Sequence, residues 1–316
     1  MRFRRGTSAL RRAYRHALDD GDHAAAERLA RQIVEQDSSD GAMWFDLGLA
    51  AKRRRDWPAA IEHNERALAA AAEPTEEPAA WNLGIAATAV GDWARARRAW
   101  SAFGITMPPG DGPLEMRLGH VPVRLNPGET ELGEDPLTLD GVVHDPEVVW
   151  AERLSPAHAR IANVPTPDSG HRWGDLVLHD GVPDGERFDG HRWVSVFNEL
   201  ALLERSPHPT WTVEVTAPSD EDRAALVELV EGIDRAAEDW TTSVRPLCPE
   251  CSRGRPGKHD HDDGADAGPV RLFGLAGSRD ELTDVLIAWA ATGAGRSWDT
   301  LGPAVGRDRT GPDAGR

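Results

Sequence analysis

The chain is expected to be multidomain, with an all-α N-terminal region of helical repeats followed by an α+β region. Three observations predict this. A turn pattern recurs at intervals of 34 and 36 residues in the first third. Pro108, Pro109, Gly110, Gly112 and Pro113 then end the helical pattern. Beyond them, short β-rich runs give way to two strand–helix pairs.

The recurring turn is GDHAAA at 21–26, RDWPAA at 55–60 and GDWARA at 91–96. Each closes on an alanine (Ala26, Ala60, Ala96), small enough to let two helices approach closely. Periods in this range mark stacked helix pairs. The second unit opens with Trp44, Leu47 and Gly48, the third with Trp81, Leu83 and Gly84, and the first has Leu10, Ala13 and Tyr14 at the matching places. On these residues, 7–110 resembles three units of the tetratricopeptide repeat (TPR) family: a large residue and Leu-Gly in the first helix, a small residue in the second, and Pro108 near the end of the third unit. A plain Ala-rich helical bundle is the alternative.

The resemblance implies binding of a protein or peptide in a concave groove lined by the first helix of each pair. Arg11, Arg15, Phe45, Leu49, Lys52, Arg53, Trp81, Asn82 and Ile85 fall on or near that surface. Asn82 stands where carboxylate-binding members of the family often carry Asn. The Lys/Arg and Asn side chains suit an acidic peptide or a terminal carboxylate, with Trp81 as an apolar platform. Two other readings stay open: the rest of the chain fills the groove, and Trp44 and Trp81 pack between helices.

Residues 115–205 carry the runs HVPVRL (120–125), EVVWAERL (147–154), ARIANV (159–164), DLVLHD (175–180) and HRWVSVFNEL (191–200). Turn signals separate them at Asn126-Pro127-Gly128, Asp168-Ser169-Gly170 and Asp184-Gly185. Closely spaced strands without helices predict a small antiparallel sheet or barrel. Over 206–295 the pattern becomes strand, helix, strand, strand, helix. TWTVEVTAP (210–218) leads to a helix opened by Ser219, and PVRLFGLAG (269–277) to one opened by Ser278 with Glu281 at capping-box spacing. TTSVRPL (241–247) is expected as the extended run between them. This order resembles most of a ferredoxin-like βαββα segment lacking a clear last strand. Residues 303–316 are expected to be a disordered tail.

The chain has two cysteines, Cys248 and Cys251, in a loop at 246–268 that also carries His259 and His261. The C-x2-C spacing aims two thiolates at one centre, and two histidines in a Gly/Pro-rich stretch complete a Cys2His2 zinc inventory. Four protein ligands leave no open position for water, so the zinc (Zn) would be structural. A reduced pair in a solvated acidic loop and a disulfide or redox pair are the alternatives. Redox C-x2-C pairs normally open a helix, and Pro249 argues for a turn.

The 316 residues carry a formal charge of −17. Residues 1–110 hold 16 Lys/Arg and 15 Asp/Glu, net +1, so the remainder holds −18. That balance disfavours nucleic acid and anionic membranes, despite the basic start MRFRRGTSALRRAYR. The start lacks the apolar stretch of a signal peptide, and no run of apolar residues is long enough to span a bilayer, which together with two cysteines points to the cytoplasm. Lys only at 52 and 258, with abundant Ala, Arg and Gly, suggests a bacterial genome rich in G and C.

No nucleophile-elbow, phosphate-loop or zincin motif is present. His171, His179 and Asp180 are the residues from which a hydrolytic centre in the middle domain could be built. The expected function is a non-enzymatic adaptor or regulator that binds a partner peptide through the helical groove and is stapled by zinc. A hydrolase that uses the repeats for docking is the alternative.

Overall fold

A computed structural model describes residues 2–71, 77–128, 136–188, 191–243 and 268–306. They form a mixed multidomain protein of two compact units. Among the described residues the first comprises 2–71, 77–116 and 154–157; the second comprises 117–128, 136–153, 158–188, 191–243 and 268–306.

The first unit contains α1 (Arg2–Asp19), α2 (His23–Gln36), α3 (Gly41–Arg53), α4 (Trp57–Ala70), α5 (Pro78–Ala89) and α6 (Trp93–Ala102). They pack as three hairpins, each helix against the next in sequence. The recurring turn has a physical basis. Asp22, Asp56 and Asp92 cap α2, α4 and α6, each accepting from the backbone N–H three residues on. The residue before each cap takes a left-handed φ: 73° at Gly21, 57° at Arg55 and 70° at Gly91. Ala26, Ala60 and Ala96 are buried where the hairpins close. Gly48 and Gly84 are the other close approaches, because a Cβ there would run into Asn64 and into the Trp100 ring. α5 is buried around its whole circumference, as an almost wholly apolar helix must be. Arg97 holds the Pro/Gly-rich exit segment against α6, donating to the carbonyls of Pro108 and Gly112 at 3.1 and 2.6 Å.

The second unit begins with a closed five-stranded barrel: β1 (His120–Leu125), β4 (Glu147–Arg153), β5 (His158–Ile161), β6 (Leu176–Phe188) and β7 (Trp193–Glu204). Neighbours run antiparallel except β1 and β7, whose parallel pairing at Val123↔Phe197 closes the ring. Val123, Leu125, Val149, Ala151, Ala159, Ile161 and Val177 fill its interior. A small hairpin of β2 (Thr138–Leu139) and β3 (Val142–Val143) intervenes, turning at Asp140-Gly141 with φ of 54° and 79°.

The chain continues through β8 (Thr210–Thr216), α7 (Asp220–Glu231), β9 (Ala236–Asp239), the short α8 (Trp240–Ser243), β10 (Val270–Ala276), α9 (Arg279–Ala291), β11 (Ser297–Trp298) and β12 (Gly302–Pro303). The antiparallel sheet has the order β11–β8–β10–β9, with β12 also on β8. Val213, Val215, Phe273 and Leu275 meet Leu226, Val230, Leu282, Leu286 and Trp289 of the two long helices. Capping boxes at Ser219/Asp222 and Ser278/Glu281 start those helices.

Two expectations need revision. The strand beside β10 is Ala236–Asp239, and 240–243 is a helical turn rather than part of an extended run, because β10 recruits the helix-prone sequence AAED as its edge neighbour. Gly302 and Pro303 pair with β8, so the expected tail loses its first residue to the sheet, and 307–316 lie outside the described residues. The barrel and the sheet form one unit. Trp240 sits over Gly274, where a Cβ would overlap the indole, and its Nε1 donates to the Val164 carbonyl at 3.0 Å.

Candidate functional site

A dense buried polar group lies where β1 ends. The β5–β6 connection carries a single 3-10 turn, Pro167–Ser169, and then Gly170 at φ 69°. A Cβ on Gly170 would stand 2.6 Å from the His144 ring, so only glycine fits. Next in the chain is His171. Its Nδ1 donates to Asp175 Oδ2 and its Nε2 to Glu199 Oε2, both at 3.2 Å, and none of the three side chains has any exposure. Asp175 also accepts from the backbone of Arg172 (3.0 Å) and Ser206 (2.7 Å) and from Arg205 Nη1 (3.1 Å). Glu199 Oε2 accepts the Asn126 N–H at 2.9 Å. Asn126, at φ 46°, donates through Nδ2 to the carbonyls of Asp145 and Ser169.

Burial alone would pull the His171 pKa down. The Glu199 charge and the hydrogen bonds to both carboxylates overcome it and push the ring up to about 9. The ring is therefore an imidazolium at neutral pH, and with Arg205 it balances the two carboxylates. With both nitrogens engaged and no exposure, the arrangement locks the barrel end and offers no proton to an outside substrate.

His179 and Asp180 are also fully buried, but with different partners. His179 Nδ1 donates to the Asp180 carbonyl at 2.7 Å, and its ring lies against Phe197. Burial pushes its pKa down to about 3, so it is neutral. Asp180 Oδ1 accepts from the backbone of Gly181 and Val182. His171 thus joins Asp175 and Glu199 rather than Asp180.

In the helical unit the expected groove residues separate into two sets. Lys52, Asn82 and Ile85 are buried, with Lys52 Nζ donating to Asn82 Oδ1 at 3.3 Å. Arg11 is ion-paired to Asp40, Arg53 approaches His23, and Arg15 is exposed. Trp81 packs edge-on against Trp100 and Phe103. Phe45 and Leu49 are half-buried. Phe45 lines a cleft of about 370 Å³ whose walls among the described residues are Gly41, Ala42, Ala67, Ala70, Ala71, Pro78, Ala79 and the charged Glu77.

Cys248, Cys251, His259 and His261 lie outside the described residues. Among the described residues no group of three or more His, Cys, Asp or Glu could hold a metal ion, and no helix is long and apolar enough to cross a membrane. The sequence reading missed Asn126, Asp175, Glu199 and Arg205. One signal was available: Asn198-Glu199 and Arg124 interrupt otherwise apolar strands, and a charge there must find a buried partner.

No protein-family profile matches the chain, and no curated protein does. Among solved structures, a hypothetical protein from Neisseria gonorrhoeae, described as a novel crystal structure, aligns over 60% of this chain and 98% of its own. The identity is 11% and the TM-score 0.24, values that carry no argument about fold or function.

Proposed function

We propose that the protein is a non-enzymatic interaction module whose helical unit is of the tetratricopeptide type and binds a partner peptide. The cleft at Phe45 carries this reading, since it lies between successive hairpins and its described lining is apolar except for Glu77. Capped turns at matching places in all three hairpins, and close helix approaches at Gly48 and Gly84, support the family resemblance. Arg11 is paired with Asp40 and Lys52 with Asn82, which favours an apolar peptide segment over an acidic one. The order β11–β8–β10–β9 with two helices packed on the sheet supports a ferredoxin-like reading of the C-terminal part. The sealed surroundings of His171 and His179 weigh against a hydrolytic centre built on them. The Cys248, Cys251, His259 and His261 set remains a proposed structural zinc site.

Ala42→Arg places a long charged side chain in the cleft from an exposed helix position. A photo-crosslinker at Phe45 should capture proteins from a lysate of the source cells that the Ala42→Arg background does not, with equal thermal melts. Identical capture by both backgrounds overturns the proposal.

A further inference from the structure

Arg124 lies in β1 between Val123 and Leu125, which fill the barrel interior, so strand alternation turns it to the outer wall. It is nevertheless only 4% exposed. A guanidinium carries five N–H donors. Nη1 uses its two on Asn198 Oδ1 at 2.6 Å and Asp184 Oδ2 at 3.0 Å. Nε and Nη2, which carry the other three, are buried without a hydrogen-bond partner. Together they form the edge that grips a carboxylate through two parallel bonds. A buried donor left unmet is costly, and more so on a charged group.

Asp184 does not engage that edge. Its Oδ2 takes Nη1 of Arg124 and, at 2.8 Å, Nδ2 of Asn198, while its side chain remains half exposed at 50%. It lies in the outer stretch of β6, where the register with β7 shifts between His179 and Pro183 and again between Pro183 and Glu186. The neighbouring Val182 is mostly solvent-exposed. A second guanidinium stands close by: Arg187 Nη1 donates to the carbonyl of Val148, the residue paired with Arg124 across β1 and β4.

We propose that Arg124 and Asn198 form a carboxylate-binding site in which Asp184 is a tethered stand-in. A ligand bearing a free carboxylate displaces Asp184, accepts through one oxygen from Arg124 Nη1 and Asn198 Nδ2 as Asp184 does, and brings its second oxygen to the unmet Nη2. The resident oxygen belongs to a carboxylate, which favours that chemistry over phosphate.

The test uses the full chain, wild type and Asp184→Asn, titrated with sodium acetate against sodium chloride at matched ionic strength, and follows the assigned Arg124 Nε–Hε resonance by NMR. The expected result is a saturable shift with acetate and none with chloride, with a midpoint at least about ten-fold lower in Asp184→Asn than in wild type. Asn198→Ala in that background should raise the midpoint again. An Arg124 signal that ignores acetate, or answers chloride equally, overturns the proposal. Should Asp184→Asn unfold by circular dichroism, Asp184→Ser replaces it; loss of fold in both makes Asp184 a structural partner and overturns the proposal as well.

Discussion

His171 and Glu199 meet at 3.2 Å with neither side chain exposed, and Asp175 holds the opposite nitrogen of the same ring at the same distance. One imidazolium therefore ties the β5–β6 connection to the middle of β7. Replacing it with alanine takes the cation from both buried carboxylates, leaving Asp175 with Arg205 and Glu199 with the Asn126 N–H. Removing one partner of such a group typically costs about 3–5 kcal/mol, and His171→Ala should show a loss of that order in urea unfolding.

The same clamp sets an alkaline limit. Its folded-state pKa, about 9, lies above the unfolded value of 6.5. The stabilisation is complete below pH 6.5 and is lost as pH rises through 9. Melting temperatures recorded from pH 6 to 10 should fall over that window in the wild type and run flatter in His171→Gln.

His63 has the opposite sign. Its ring stacks on Trp44 at 5.5 Å, is 6% exposed, and neither nitrogen has a hydrogen-bond partner. Burial, with Arg31 and Arg66 nearby against Glu27 and Glu62, lowers its pKa below 6.5. The neutral ring is tolerated above pH 6.5, and stability is lost as pH falls below it. His63→Phe should flatten the decline in helical-unit stability between pH 7 and 5, read by hydrogen exchange in α3 and α4.

Arg55 occupies the left-handed position that Gly21 and Gly91 take in the other two turns, at φ 57°. A side chain there is strained where glycine is not. Arg55→Gly should stabilise the helical unit by about 0.5–1 kcal/mol in chemical denaturation, net of the extra freedom glycine gains when unfolded.

Gly274 faces the Trp240 indole with no room for a methyl group. Gly274→Ala should cost about 1–3 kcal/mol, as overpacking does. Trp240→Phe, which keeps the ring but gives up the bond to the Val164 carbonyl, should cost about 1 kcal/mol. Equilibrium unfolding of both variants checks the pair.

For the proposed zinc site, protein purified without added metal should carry about one zinc per chain by elemental analysis, in line with a four-ligand set. Cys248→Ala with Cys251→Ala should lose both the metal and thermal stability. A metal-free wild type sinks the assignment, whereas metal loss with an unchanged melt removes its structural role.

Local chemistry made much of the fold legible. An Asp that caps a helix, a small residue where two helices touch and a Ser with an acid three residues on act within a few positions, so Asp56, Ala60 and the Ser278/Glu281 box announce their helices. HVPVRL alternates as a strand and forms β1 over the same six residues. The hairpin at Asp140-Gly141 carried its own turn signal and was passed over. β9 carried none: Ala236–Asp239 extends only because β10 offers unpaired backbone groups along one edge.

The sequence alone determined where the long helices and most barrel strands start and stop, because caps, turns and periodicity act over a few residues. The tertiary structure decided which polar side chains meet. His171 is 28 residues from Glu199, and Arg124 is 60 from Asp184 and 74 from Asn198. Nothing local selects such partners. Barrel closure brings the segments together, and once water is excluded each charge must find its counterpart within hydrogen-bond reach.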